Sequence, residues 1–128
     1  MLKSLFRAAS PTFDASEFAN RHNIADEDVW LEGQTGILGV RRDSGFCLLV
    51  ADSEILSEDL QQLEEFISDF DEAIRELGRM SIPRRIDCGL TVGTAGHFTR
   101  SFTLSPKLMV KLGELGIEFT VSAYPMAD

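Results

Sequence analysis

The residues able to do chemistry in this chain are few and widely separated. Cys47, Cys88, His22 and His97 are its only thiols and imidazoles. Zinc sites draw on close pairs of such ligands, because one tight turn then aims both at a single ion. None of the four stands in such a pair, so the pattern predicts no metal and no cofactor. A cysteine–histidine nucleophile is equally unsupported. Cys47 sits in the apolar run Phe46-Cys47-Leu48-Leu49-Val50, and Cys88 alternates with Ile86, Leu90 and Val92. Both read as reduced thiols buried in strands, where cysteine acts as a small hydrophobe. A reactive thiolate needs an accessible, electropositive setting instead.

Two other patterns invite a chemical reading. Gly93-Thr94-Ala95-Gly96-His97 has the composition of a backbone cradle for an anion. A phosphate loop opens a helix, whose N-terminus supplies much of the binding. Here a strand pattern follows, so the segment reads as a hairpin turn. Glu64, Glu65, Asp69, Glu72 and Glu76 could supply acid–base pairs. That chemistry needs two carboxyls converging on a cleft with separated pKa values. Strung along one helix, they read as a solvated face that could also dock a basic partner. No catalytic residue is assigned, and the chain is expected not to be an enzyme.

The basic residues gather at Arg41-Arg42, at Arg79, Arg84 and Arg85, and at Arg100. With neighbouring strands, Trp30, Arg42, Arg100, Glu118 and Tyr124 would share a sheet face left open by helices. Guanidinium groups beside aromatics are the composition of a recognition surface, and these five are the predicted binding residues. Cross-strand charge pairing on a wet face would explain the same residues without function.

The elements that must position these groups follow from periodicity. Residues 3–9 read as a strand, with Leu5 and Arg7 on one face and Phe6 and Ala8 on the other. Asp14 reads as a helix N-cap, with Glu17 completing a capping box and Phe13 and Phe18 forming a hydrophobic staple. Asn23 suits a left-handed end. Residues 29–31 read as extended. Residues 37–42 and 46–51 read as a hairpin turning at Asp43-Ser44-Gly45. The longest element is a helix over 57–77, whose apolar face carries Leu60, Leu63, Ile67, Phe70, Ile74 and Leu77. Strands follow over 85–92 and 98–104. Ser105-Pro106 starts a helix that ends at Gly116, and 117–124 alternates as the last strand.

From residue 46 onward the order is βαββαβ. This predicts one α+β domain over 1–128: an antiparallel sheet with helices on one face, a ferredoxin-like core, and an N-terminal βα unit and hairpin. The 128 residues suit one domain, and 44% hydrophobic with 26% charged residues is ordinary globular composition. The net charge of -9 argues against nucleic acid, whose binding needs Lys and Arg to displace counterions, and against anionic membranes. No segment has the apolar length to cross a bilayer, and the first residues lack the apolar core of a secretory signal. A cytoplasmic location is the expectation.

Short motifs along nearly the whole chain resemble a bacterial family known as domain of unknown function 4279. They are the opening strand, the stretch Phe13-Asp14-Ala15-Ser16-Glu17-Phe18, and Trp30 with Gly33 in Val29-Trp30-Leu31-Glu32-Gly33. Ser44-Gly45-Phe46 follows, where the family usually has Trp in place of Phe, and the closing helix and strand run from Leu104-Ser105-Pro106 to Tyr124. The resemblance implies a compact α+β fold and brings no catalytic residue with it.

These readings together predict a non-catalytic binding or interaction domain with a protein partner. An immunity-type protein that neutralises a basic toxin is one specific form. The alternative is a small-molecule-binding regulatory domain. The last strand, with Glu118 as its only charge, also predicts a homodimer or other self-association through a sheet edge or the open face.

Overall fold

A computed structural model describes residues 2–93 and 99–125. The expected turn at Gly93-Thr94-Ala95-Gly96-His97, and with it His97, lies almost entirely outside the described residues.

The central strand of the sheet is β1 (Leu2–Ser10). Leu2, Ser4, Phe6 and Ala8 are fully buried, while Lys3 and Leu5 are exposed. The alternation matches the sequence reading. After Ser10-Pro11, α1 (Ala15–Arg21) begins at Asp14, whose side chain accepts from the Glu17 N–H. The Phe13 and Phe18 rings meet at 5.6 Å, so the staple forms. The capping box is only half made, because the Glu17 carboxylate pairs with Arg21 instead. Asn23 adopts φ 57, the left-handed end.

A single 3-10 turn (Asp26–Asp28) leads to β2 (Val29–Trp30), followed by β3 (Thr35–Gly36) and β4 (Gly39–Val40). This small hairpin replaces the expected one over 37–51. Ile37 and Leu38 are its fully exposed tip rather than the start of a strand. The Ser44-Gly45 expected to turn is the beginning of β5 (Ser44–Ser53). Gly45 is needed there because β5 approaches β1 closely. A Cβ at this position would lie 2.4 Å from the Ala8 carbonyl oxygen.

The expected long helix is bent into α2 (Leu56–Asp69) and α3 (Asp71–Arg79) at Phe70. The i to i−4 bonds from Phe70 to Phe66 and from Ile74 to Phe70 survive the bend. Of the expected apolar face, Leu63, Ile67, Ile74 and Leu77 are buried and Leu60 and Phe70 half-buried. At the bend, Phe66 and Phe70 join an aromatic cluster with Phe6, Phe18 and Phe46. Next come β6 (Arg84–Val92), α4 (Pro106–Glu114) and β7 (Glu118–Pro125). Ser105 caps α4 by accepting from the Leu108 N–H, with Pro106 at the first helical position.

The fold is α+β, with a five-stranded sheet in the order β2-β5-β1-β6-β7. Core residues come from α1, α2, α3 and α4 and from one face of the sheet, so the helices cover that face. Two expectations need correcting. The sheet is mixed, because β6 and β7 are parallel while β1 is antiparallel to both β5 and β6. The strand order is also not that of a ferredoxin-like core. The cause is the segment after β6, where residues 99–104 form no strand although they alternate. Phe102 instead packs on the Leu2, Cys88 and Leu90 cluster. Among the described residues β7 is therefore the next strand after β6, reached through α4, and a helical crossover sets two neighbouring strands parallel.

Candidate binding face

Register assigns the residues of the uncovered sheet face, since side chains alternate and paired residues point the same way. One row across the sheet reads Cys47, Arg7, Arg85 and Glu118. The next reads Leu49, Leu5, Asp87 and Thr120. Lys3, Gly89 and Ser122 follow, and then Thr91 beside Tyr124. Trp30 is opposite Gly45 and so belongs to the same face.

The Trp30 end is the most built. The Arg7 guanidinium lies 4.7 Å from the indole centroid and that of Arg41 4.8 Å, so two cations contact one aromatic ring. The ring NH donates to the Asp43 carboxylate at 2.8 Å. Trp30 is buried by these partners rather than by the core, its apolar ring covered and its polar edge satisfied. Arg7 also stands directly opposite Arg85, an unfavourable cross-strand pairing of like charges. Asp87 holds Arg85 through a 3.2 Å contact. In the middle of the face, the register pair Leu5 and Leu49 is exposed, Leu49 by 56%. A depression of about 460 Å³ lies beyond, where Gly89 leaves room between Lys3, Leu5, Thr91 and Tyr124.

The structure disperses the five residues expected to act together. Trp30 and the pair Glu118 and Tyr124 do share the open face, but on opposite edge strands. Four strand spacings separate those edges, about 19 Å. Arg42 and Arg100 are not in strands. Arg42 is exposed in the loop before β5, because β5 starts two residues later. Arg100 lies beyond β6 and donates to the Thr91 carbonyl at 3.3 Å, which brings it to the Tyr124 end. The residues that accompany Trp30 are Arg7, Arg41 and Asp43. For Arg7 the signal was already present, since the alternation of β1 turned it outward with Leu5.

Cys88 is buried as expected, but Cys47 is only half-buried on the open face, because its strand has one face uncovered. Burial pushes its thiol pKa up, with the Arg7 charge opposing. His22 is a packing residue: its ring lies 4.3 Å from Phe18 and its Nε2 contacts the Glu76 carboxylate at 2.6 Å. Arg21 and then His22 hold the Glu76 carboxyl below the usual range. Among the described residues, no group of three or more histidine, cysteine and carboxylate side chains could hold a metal ion. The acidic helices border a cleft of about 680 Å³ between α2 and α4, where Glu64 and Asp71 face Lys107 and Lys111. Asp71 and Lys111 are bridged at 2.6 Å. No described helix is long and apolar enough to cross a membrane.

No family model, curated protein or solved structure matches the chain.

Proposed function

We propose that this chain is a non-catalytic interaction domain that recognises a protein partner with its open sheet face. The observation that carries the reading is the exposed Leu5 and Leu49 pair beside the Arg7–Trp30–Arg41 stack, on a face that no described element covers. Aromatic and arginine groups around an apolar centre are the chemistry of binding hot spots. The face carries Lys3, Arg7, Arg41 and Arg85 against Asp43, Asp87 and Glu118, so an acidic and aliphatic patch is its complement. We place the domain in the cytoplasm and, on its short motifs, with the bacterial family named above. A basic partner, such as a toxin neutralised by an immunity-type protein, would choose the other side, where Glu58, Glu64, Glu65, Asp69 and Glu72 cluster on α2 and α3.

A photo-crosslinking residue at position 49, compared with one at position 65 in the native host, tests the choice. A specific protein adduct from 49 and none from 65 supports the sheet face. The reverse pattern assigns recognition to the helices and refutes it. The second reading is a small-molecule regulatory domain, favoured by the depression over Gly89. A metabolite that raises the melting temperature of the wild type but not of Gly89→Leu would establish that instead.

A further inference from the structure

We propose that β7 pairs antiparallel with β7 of a second copy about a two-fold axis at Val121, joining two five-stranded sheets into one. The proposal stands independently of the partner reading above. In a parallel pair only alternate residues of β7 direct their backbone groups at β6, so the remaining N–H and C=O groups point outward from the sheet. Native proteins protect such edges with bulges, charges or short strands. The opposite edge is protected in these ways. β2 is two residues long, β5 shifts register opposite Ser4 and Leu5, and the Gln62 side chain accepts from the Asp52 N–H. β7 has none of these features. It runs eight residues against β6 without a register shift, carries the single charge Glu118, and has no strand on its outer side among the described residues.

The side chains of β7 are self-complementary in one register. Two-fold antiparallel pairing puts residues of the same face opposite each other. With Val121 on the axis, Phe119 faces Ala123 of the second copy, Thr120 faces Ser122 and Glu118 faces Tyr124. Each is a favourable or neutral cross-strand pair, and the like charges stay apart. Moving the axis to Ser122 sets Phe119 opposite Pro125, which has no N–H to give. Moving it to Thr120 leaves 123–125 beyond the start of the copied strand. Val121 is 47% exposed and Tyr124 58%, so both have surface to bury.

Sedimentation across a concentration series reads the association, and Cys47→Ser variants read the register. The mass should rise from 14.2 kDa towards twice that value. Val121→Lys, at an exposed position, should weaken the dimer by at least about tenfold, because it brings two ammonium groups together on the axis. Under mild oxidation Val121→Cys should form a 121–121 disulfide, since opposed antiparallel residues fall within disulfide range, while Ser122→Cys should not. A mass fixed at 14.2 kDa up to high micromolar concentration overturns the proposal. So does a dimer that Val121→Lys leaves intact, or one in which position 122 crosslinks and position 121 does not.

Discussion

Replacing Asp59 by leucine should stabilise the protein at neutral pH by about 1–2 kcal/mol, the difference between two opposing terms. The side chain is fully buried in the first turns of α2. One carboxyl oxygen, Oδ1, has no hydrogen-bond partner, and Oδ2 is 3.4 Å from the Ser4 hydroxyl, long for such a bond. A buried acceptor left unsatisfied costs about 1–3 kcal/mol. Against this, a carboxylate near a helix N-terminus gains about 0.3–1 kcal/mol from the helix dipole. Asp59→Asn keeps the shape and removes only the ionisation, so it separates charge from volume. Burial raises the Asp59 pKa, the Ser4 hydroxyl opposes that shift, and the Asp52 charge adds to it. A carboxyl whose folded pKa lies above its unfolded value holds its proton more tightly in the fold. Its contribution is therefore complete below about pH 3.9 and is lost as pH rises through the folded pKa. The advantage of both variants should be smallest in acid and grow towards neutrality. The carboxylates of Asp71 and Glu76, held below their usual range by Arg75 and Arg21, act in the opposite direction. They are common to all three proteins and cancel in the difference. Urea unfolding at a series of pH values measures it. A neutral-pH loss of more than about 1 kcal/mol in both variants, or a difference that does not vary with pH, would refute the reasoning.

Ile67→Ala should cost about 2–5 kcal/mol in chemical denaturation, because Ile67 lies in the main core. A change below about 0.5 kcal/mol would mean α2 does not pack through this face. A thiol reagent without denaturant should label half-buried Cys47 well before buried Cys88, and equal rates would contradict the placement of the two strands. Random duplex DNA should not bind near physiological salt, given the net charge of -9. A micromolar, salt-dependent affinity in a fluorescence titration would show a local cationic surface overriding it.

What could be read directly from the residues depends on neighbours a few positions apart. The Asp14 cap, the Phe13 and Phe18 staple, the Ser105-Pro106 start and the outward turn of Leu5 and Arg7 all depend on such spacings. Each survives in the structure because a helical turn or a pleat is specified within about four residues. The apolar face of α2 and α3 survives too, and at the bend between them Phe70 joins a ring cluster assembled from distant elements.

Strand partnership was not available in this way, because alternation says which side chains share a face and nothing about which strand lies alongside. Residues 99–104 alternate as well as a strand does, yet they pack on the sheet instead of joining it. Placing β1 between β5 and β6 brought Arg7 to Trp30, across a sequence gap that no local pattern spans. The same placement turned Ser4 inward against Asp59, which the helix pattern alone would assign to solvent near the positive end of a dipole. The sequence determined the starts of α1 and α4 and the two faces of β1, β6 and β7. The tertiary structure decided which faces meet, since pairing energy is gained between strands far apart in the chain, and a period of two is the same for every candidate partner.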